Sequence, residues 1–353
     1  MKKIVFFLLL FVGLEGIVAA QKPAYKYEAV GFYNLENLYD TISDDNDDKK
    51  FLPDGANHWT GERYRHKLKN MAHAISQIAV DVLPSGLTVL GVSEVENKRV
   101  LEDLVATPPI NKKKWGIVHY DSPDARGVDV ALLYQKTRFE VISSRQVPFN
   151  IANNPTFKSR DQLVVTGKLD GEVMHFIVVH WPSRYGGEER SRELRMAAAQ
   201  LTMRIVDSLY KSDINAKIII MGDFNDDPDN PSLASVMNAK EKPEEVEKRG
   251  LFNSTYKLFR EGKGSLAYDD RWNMFDQQIL SEPFMRKDFS GYQFHTAHVF
   301  DANFLKTDEG RYKNYPFRTF VGSVWQGGYS DHFPSYVVLI KNLKQSLPRE
   351  KKK

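Results

Sequence analysis

Residues 217–225 read Lys-Ile-Ile-Ile-Met-Gly-Asp-Phe-Asn, an apolar run that ends in an acid and an amide. Because the run is apolar on both faces, it predicts a β-strand buried between two layers. Asp223 and Asn225 come where such a strand leaves its sheet. A rigid strand end that opens to solvent suits a preorganised polar cluster. The stretch therefore predicts both a buried sheet and a candidate site at its rim.

Four other apolar runs carry polar residues at one end in the same way. They are 29–33 followed by Asn34 and Glu36, 87–92 followed by Glu94, 176–179 followed by His180, and 336–340 preceded by Asp331 and His332. A single acid or amide after a strand is more often a turn former or a cap, and a single histidine there is more often structural. The repetition of the pattern favours one shared site.

Further apolar runs at 128–134 and 162–168 predict two more strands, and the predicted strand before His180 covers 175–179. Two sets of apolar residues, spaced by three and four positions, predict amphipathic helices that pack on a sheet. The sets are Tyr64, Leu68, Met71, Ile75 and Ile78, and Leu194, Ala198, Leu201, Ile205 and Leu209. Strands and helices mix without strict alternation, which indicates an α/β sandwich with packed sheets inside and helices outside.

Two stretches are expected to be loops. Residues 40–50 are acidic, and we interpret them as a solvated surface loop in preference to a cation site. Residues 284–328 are rich in aromatic residues and glycine and have little periodicity, which predicts a long and functionally important loop.

The first twenty residues predict an export signal, with Lys2 and Lys3 before an apolar run at 4–12 and the small pair Ala19-Ala20 at the end. The run falls short of the ~20 apolar residues of a membrane span. We therefore expect a secreted or periplasmic protein without stable membrane insertion after signal cleavage, the alternative being a retained anchor.

The rest of the chain, 21–353, is expected to be one domain, because no linker or repeat divides it. We also expect a monomer. The sequence has 353 residues, 42% of them hydrophobic, which is ample for a large core. It has no cysteine, so disulfides are excluded. A net charge of +3 neither demonstrates nor excludes a nucleic-acid partner.

Five segments resemble successive motifs of the endonuclease/exonuclease/phosphatase superfamily. They are Phe32-Tyr-Asn-Leu-Glu36, Gly91-Val-Ser-Glu94, Val178-Val-His180, Met221-Gly-Asp-Phe-Asn225 and Ser330-Asp-His332. The resemblance extends from about Tyr27 to Ile340. Pancreatic deoxyribonuclease and the apurinic-site endonucleases are members of this superfamily. The resemblance implies a four-layered α/β sandwich, with two packed β-sheets flanked by helices, and a metal-dependent hydrolysis of phosphate esters.

Four oxygen-bearing residues are candidate metal ligands. Glu94 is the first of them, with Asn34 beside it, and Glu36 and Asp331 could complete the shell directly or through water. Mg²⁺ prefers such ligands, with Mn²⁺ or Ca²⁺ as alternatives. The lack of cysteine and of a His-x₃-His pair argues against zinc. The metal would polarise a phosphoryl oxygen and stabilise the leaving oxygen.

Five residues are candidates for the chemistry itself. Asp223 could orient or deprotonate the attacking water, Asn225 could hold it, and His332 could donate a charge-assisted hydrogen bond to the phosphate. The resemblance implies that Asp276 pairs with His332. It also implies that His180 is a second catalytic imidazole, as in pancreatic deoxyribonuclease.

Two arginines are candidate substrate contacts. Arg126 lies near the position where the family places a phosphate-contacting tyrosine or arginine, and Arg184 follows His180 closely in sequence. Asp129 is expected to tether Arg126 or His180.

Among the possible activities, we rank first a nuclease or general phosphodiesterase, whose substrate would be DNA, RNA or another phosphodiester. A nuclease would bind the phosphate backbone in a basic groove. The candidate residues for such a groove are Arg184, Arg190, Arg192 and Lys211. A sphingomyelinase-like lipid phosphodiesterase or a sugar-phosphate phosphatase is the alternative, followed by a non-catalytic binding protein on the same fold. Residues 271–277, Arg-Trp-Asn-Met-Phe-Asp-Gln, lack the proline and the late arginine typical of inositol phosphatases.

Overall fold

The computed structural model describes residues 25–151, 154–288 and 291–343. The predicted export signal at 1–20 lies outside the described residues. None of the helices in the described part of the chain is long and apolar enough to span a membrane.

The strands of the described residues follow one another along the whole chain. In order they are β1 (Tyr25–Leu38), β2 (Val89–Val95), β3 (Trp115–His119), β4 (Asp129–Gln135), β5 (Phe139–Val147), β6 (Gln162–Leu169), β7 (Glu172–His180), β8 (Ile218–Asp223), β9 (Ala239–Lys240), β10 (Leu251–Asn253), β11 (Leu266–Tyr268), β12 (Arg271–Asn273), β13 (Asp276–Ser281), β14 (Gln293–Val299), β15 (Phe320–Val321), β16 (Val324–Trp325) and β17 (Ser335–Asn342). The α-helices are α1 (Gly61–Gln77), α2 (Lys98–Ala106), α3 (Glu188–Ser212) and α4 (Tyr256–Arg260).

Two large mixed sheets dominate the structure. The first sheet has the strand order β14-β17-β1-β2-β4-β3, and the second has the order β5-β6-β7-β8-β13-β10-β9. Strands β11 and β12 form a separate hairpin, as do β15 and β16. The central strands of both sheets are the ones whose ends carry the predicted polar residues.

The chain forms a four-layered α/β sandwich, as the sequence predicts. One apolar core lies between the first sheet and helices α1 and α2, a second lies between the two sheets, and a third lies between the second sheet and α3. Strand β8 shows why its sequence is apolar on both faces. Ile219 and Met221 belong to the core between the sheets, whereas Ile218 and Ile220 pack toward α3.

The two predicted loops differ from expectation. Within 284–328, residues 293–299 form β14, which pairs with β17 at the edge of the first sheet. In the acidic stretch 40–50, Asp40 and Asp48 are 4% and 1% exposed, so a fully solvated loop is wrong for these two residues. The stretch folds back because the backbone N–H of Asp40 donates to the Glu96 carboxylate at 2.8 Å.

Candidate active site

The strand register brings the predicted site residues together. In the second sheet, His180 on β7 and Asp276 on β13 both lie opposite Asp223 on β8. In the first sheet, the parallel strands β1 and β2 carry Asn34 and Glu94 at neighbouring positions. The two sets meet at one rim, because the two sheets pack face to face.

Asp223 lies at the centre of this rim and is buried. The side-chain amide of Asn34 donates to Oδ2 of Asp223 at 3.1 Å, and the backbone N–H of Asn225 donates to Oδ1 at 2.9 Å. Burial raises the pKa of Asp223 to about 7; the charge of His332 opposes this rise and that of Asp276 adds to it. A carboxyl group with a pKa near neutrality is suited to accept a proton from water.

His332 and Asp276 form a buried pair, with Nδ1 of the imidazole 2.6 Å from Oδ2 of the carboxylate. Burial alone lowers the pKa of His332, but the carboxylates of Asp276, Asp223 and Asp331 outweigh it and raise the pKa well above 6.5. Nε2 of His332 lies 3.9 Å from Oδ2 of Asp223. His332 is therefore a protonated imidazole with a donor beside Asp223.

His180 is a second buried imidazole beside Asp223. Its Nε2 lies 3.6 Å from Oδ2 of Asp223 and 3.9 Å from Oε1 of Glu94. Burial lowers the pKa of His180 well below 6.5, and the positive charges of two arginines and of His332 lower it further. His180 is therefore neutral at neutral pH while His332 is charged. Neighbouring groups with pKa values moved in opposite directions can divide the roles of base and acid.

Glu94 joins Arg126 to the site. Two guanidinium nitrogens of Arg126 lie 3.3 and 3.4 Å from Oε1 of Glu94, and the backbone N–H of Asn37 donates to Oε2 at 3.0 Å. The side chain of Arg126 is 43% exposed, so the guanidinium can also contact a bound phosphate.

Asp331 lies in the loop before β17, at the edge of the site. Its Oδ1 lies 3.9 Å from Nε2 of His332, and its Oδ2 lies 3.4 Å from a guanidinium nitrogen of Arg318. Asp331 is partly exposed, so its carboxylate is accessible to a cation or to water.

Glu36 is bound to other parts of the protein. Its Oε2 accepts the backbone N–H of Thr319 at 2.6 Å and lies 3.9 Å from the ammonium group of Lys67. Burial raises the pKa of Glu36 to about 7, and the charge of Asp331 adds to this rise, while Lys67 opposes it. These contacts favour a supporting role for Glu36 over direct metal ligation.

Arg184 is held by several acceptors of the protein. Its guanidinium donates to the backbone oxygen of Asn225 at 2.9 Å, to Glu188 at 2.9 Å and to Asn230 at 2.8 Å. Asn225 is fixed in turn, because its side-chain amide donates to the backbone oxygen of Trp181 at 3.0 Å. For Arg184, this network favours a structural role over the expected substrate contact.

The expectation for Asp129 is wrong. Its carboxylate lies 2.9 Å from Nε2 of His119 and accepts the backbone N–H of Ser122 at 2.7 Å. It therefore fixes the loop after β3 and tethers neither of the two expected partners.

Three cationic residues beside the site were not predicted from the sequence. Arg318 contacts Asp331, and Lys67 contacts Glu36. Arg160 is buried and donates to the backbone oxygens of His180 and Trp181 at 3.2 and 2.6 Å. Only Lys67 has a clear signal in the sequence, because it lies on the apolar stripe of α1. Arg160 and Arg318 lie in loops without a recognisable pattern.

The donor set fits a hard divalent cation. The expected ligands Glu94, Asn34 and Asp331 supply two carboxylates and an amide oxygen, the kinds of donor that Mg²⁺ prefers. A separate group at the same rim, Asp223, Asp276 and His332, has ligand atoms within 4.8 Å of one another. That group contains none of the expected ligands, and its His332 cannot bind a cation while it is protonated. One carboxylate oxygen of Asp276 is buried without a hydrogen-bond partner among the described residues. Burial is the main cause of the raised pKa of Asp223, and the charge of Asp276 adds to it. A cation bound nearby would favour the ionised carboxylate and lower this pKa.

A protonated imidazole, a neutral imidazole and a group of carboxylates can together activate water and stabilise charge on a phosphoryl group. At the rim of a two-sheet sandwich, this combination defines a class of proteins, the hydrolases of phosphate esters.

Within that class the chain belongs to the Endonuclease/Exonuclease/phosphatase family, whose sequence profile matches residues 29–341. A search of curated proteins gave no match.

Solved structures share the fold at low sequence identity. An endonuclease/exonuclease/phosphatase family protein from Bacteroides thetaiotaomicron is 17% identical, with a TM-score of 0.55 over 93% of this chain and 100% of that one. The mannosyl-6-phosphatase of the same organism is 17% identical, with a TM-score of 0.53 over 88% and 99%. D. rerio TDP2 in complex with a single-strand DNA product is 14% identical, with a TM-score of 0.52 over 89% and 98%. At these identities the likeness shows a common fold.

Proposed function

We propose that this protein is a divalent-metal-dependent hydrolase that catalyses the attack of water on a phosphate ester. The observation that carries the proposal is the arrangement around Asp223, where neutral His180 and protonated His332 lie 3.6 and 3.9 Å from one carboxylate. A non-catalytic binding protein on this fold has no need for two buried imidazoles in opposite protonation states.

Mg²⁺ is the proposed metal, held by Glu94, Asn34 and Asp331, with Mn²⁺ or Ca²⁺ as alternatives. When bound, such a cation polarises the phosphoryl oxygen and stabilises charge on the leaving oxygen. Glu36 supports this set through its contact with the loop at Thr319.

The residues of the chain handle the protons. Asp223 accepts a proton from water, whose oxygen forms a bond to phosphorus as the bond from phosphorus to the ester oxygen breaks. The ester oxygen leaves with the electron pair of that bond and takes up a proton from solvent, so the products are a phosphate and an alcohol. Asn34 and the backbone N–H of Asn225 hold the Asp223 carboxylate in place. His332 donates from Nε2 to a phosphate oxygen, and Asp276 keeps it protonated. Neutral His180 accepts a hydrogen bond from water or from a protonated phosphate oxygen.

Nucleic acids and compact phosphoesters are the two candidate kinds of substrate, and the fold neighbours include both a TDP2 complex with a DNA product and a mannosyl-6-phosphatase. From the sequence alone, a nuclease or phosphodiesterase is the first-ranked activity. Two of the four basic residues expected to form a groove, Arg184 and Arg192, are paired with Glu188 and Glu189. Paired charges contribute less to phosphate binding, so we place a compact phosphoester ahead of nucleic acid.

A substrate panel on the purified mature protein tests the proposed function. It contains plasmid DNA, RNA, a generic phosphodiester, sphingomyelin, inositol phosphates and sugar phosphates, each with Mg²⁺, Mn²⁺ or Ca²⁺. We expect turnover of at least one phosphoester that disappears with chelator. Failure to hydrolyse any of them would refute the proposal in favour of a binding protein.

We also propose, from the sequence pattern alone, that the chain is exported and that 21–353 forms one monomeric domain. Mass spectrometry of the exported protein should find a chain that begins near Gln21, and sedimentation should give the monomer mass. An exported chain that retains Met1 contradicts signal cleavage.

A further inference from the structure

A cleft of about 280 Å³ lies between two surface segments next to the candidate active site. One wall is formed by residues 267–270 of the hairpin β11–β12, and the other wall is formed by residues between 307 and 326. The hydroxyl of Tyr315 donates to Asp270 at 2.8 Å, and the rings of Tyr315 and Trp272 are 5.7 Å apart. These contacts join the two walls, so the cleft has a defined shape.

One wall touches a residue of the site, and the other touches a chain neighbour of a site residue. In the hairpin, the ring of Trp272 stacks on that of Phe333 at 5.9 Å, and Phe333 follows His332 in the chain. In the other wall, the guanidinium of Arg318 lines the cleft and lies 3.4 Å from Asp331. A phosphate at His332 and Asp331 would therefore lie beside Arg318, the residue through which the cleft adjoins the site.

The lining combines aromatic rings with donors and acceptors. Tyr268 and Tyr312 are 75% and 43% exposed, which is unusual for large aromatic side chains. Asp269, Asp270 and Arg311 surround them. The apolar face of a sugar ring packs on tyrosine, while its hydroxyl groups donate to carboxylates and accept from guanidinium groups. The lining matches a hydroxylated ring.

Size and charge exclude a polyanion from the cleft. Small-molecule pockets have volumes of roughly 300–1,000 Å³, so this cleft of about 280 Å³ is slightly smaller than that range and accommodates about one ring. Two acids, Asp269 and Asp270, balance two arginines, Arg311 and Arg318. A nucleic-acid backbone requires an excess of positive charge, which this lining does not supply.

We infer that the cleft binds the sugar ring of a sugar phosphate whose phosphate group lies at Asp331 and His332. The inference rests on the proposed function, and it names a substrate class for the same site. Tyr268 supplies a stacking face, and Asp269 supplies an acceptor for ring hydroxyls.

Kinetics with matched esters test the inference. Hexose phosphates carry the ring, glycerol 3-phosphate is an acyclic polyol ester, and nucleoside monophosphates carry a base as well. We expect wild-type protein to prefer hexose phosphates by kcat/KM. Tyr268→Ala should lower the preference for hexose phosphate over glycerol 3-phosphate roughly tenfold, the size of a lost aromatic contact. Asp269→Asn should lower this preference too, because it removes the carboxylate that accepts from the ring hydroxyls. The backbone should be unaffected, since asparagine tolerates the positive φ of +48° at this position.

Tyr185→Ala is the matched control, because Tyr185 is 92% exposed and lies outside the cleft. It should leave the preference unchanged. Equal kcat/KM for ring and acyclic esters, with no effect of Tyr268→Ala, would overturn the inference. Preference for nucleotides or DNA overturns the sugar assignment.

A binding measurement separates failure of the cleft from failure of the proposed function. Saturation-transfer NMR with phosphate-free hexose and metal-free protein requires no turnover. We expect a signal with wild type and Tyr185→Ala that is lost in Tyr268→Ala. If no phosphoester is hydrolysed but the hexose signal depends on Tyr268, the proposed hydrolase fails and the sugar cleft stands. The reverse result overturns the cleft alone.

Discussion

At the scale of single residues, the pairing of Asp276 with His332 determines the charge of the imidazole that we propose binds the phosphate. The 2.6 Å contact keeps His332 protonated at neutral pH. We predict that Asp276→Asn and His332→Ala each lower kcat by about 10²–10⁴-fold, the usual range for acid–base assistance. The double variant should lose little more than either single one, because both changes disable one unit. Steady-state kinetics of the three variants measure this, and multiplicative losses would contradict the pairing.

His180 has two alternative roles that one variant can distinguish. If it acts on water or phosphate as a neutral imidazole, His180→Ala should lower kcat by roughly 10²–10⁴-fold without changing metal affinity. If it only fills space beside Trp181, the melting temperature should fall while turnover stays near normal. Both quantities should be measured on the same preparation.

His175→Ala is a matched control for His180→Ala. His175 lies on the same strand, and its ring is 2.9 Å from the hydroxyl of Thr166, at the other end of β7 from the site. We expect His175→Ala to leave kcat unchanged. A similar rate loss in both variants would remove His180 from the catalytic residues.

At the scale of elements, Lys67 fastens helix α1 to the loop that carries Asp331. Its ammonium group is buried, donates to Thr319 at 2.6 Å and to the backbone oxygen of Tyr329, and lies 3.9 Å from Glu36. Lys67→Met leaves the Glu36 carboxylate buried without its cation. Removal of one partner from a buried pair costs up to about 3–5 kcal/mol when the other partner stays charged. Because Glu36, with its pKa raised to about 7, can take up a proton instead, we predict a loss of stability to denaturant that grows as the pH rises above 7.

Two further variants define this effect. Lys69→Met changes an exposed lysine of the same helix and should have little effect. Adding Glu36→Gln to Lys67→Met should recover part of the lost stability, since it removes the unpaired charge. If the double variant is no more stable than Lys67→Met, the two charges are not coupled.

The predictability of each element follows from its environment. Strands such as β8 are buried on both faces, so their sequences are apolar throughout and are recognisable without a structure. Strand β5 is an edge strand with many exposed residues, and it has no apolar run. Strand β13 is fully buried but contains Gln277 and Gln278, and Gln277 is satisfied by the backbone oxygens of Asp226 and Met274. Hydrogen bonds to distant segments compensate for this polar burial, and no local pattern predicts them.

The same reasoning applies to the site. Residues at strand ends could be predicted, because the sheet gathers strand ends at one rim wherever the helices lie. The contacts of Lys67 with Thr319 and of Arg318 with Asp331 depend on how loop 300–330 folds. That loop has no periodicity from which its path could be inferred.

At the scale of the whole molecule, metal binding should stabilise the fold as well as enable the reaction. The proposed donors come from β1, β2 and the loop before β17, which are far apart in sequence, so unfolding disperses them. A cation that binds only the folded state adds about 2.7 kcal/mol at a hundredfold excess over Kd. We predict that Mg²⁺ raises the melting temperature and that chelator abolishes both this rise and turnover. Glu94→Gln should lose both, and full activity in excess chelator would contradict the metal requirement.

The metal-induced stabilisation should depend on pH in a direction set by Asp223. Without metal, the pKa of Asp223 is about 7 in the folded state against 3.8 ordinarily. The folded state then holds more protons than the unfolded state between these two values, so this carboxyl group makes the metal-free protein less stable as pH rises from about 4 to 7. A nearby cation favours the ionised carboxylate and reverses the loss. The rise in melting temperature with Mg²⁺ should therefore be larger at pH 8 than at pH 5.5, and calorimetry at pH 7 should detect protons released on binding.

Asp223→Asn keeps the shape of the side chain and removes its titration, so it should show less proton release and a weaker pH dependence. Equal stabilisation at both pH values in the wild type would mean that the cation binds away from Asp223.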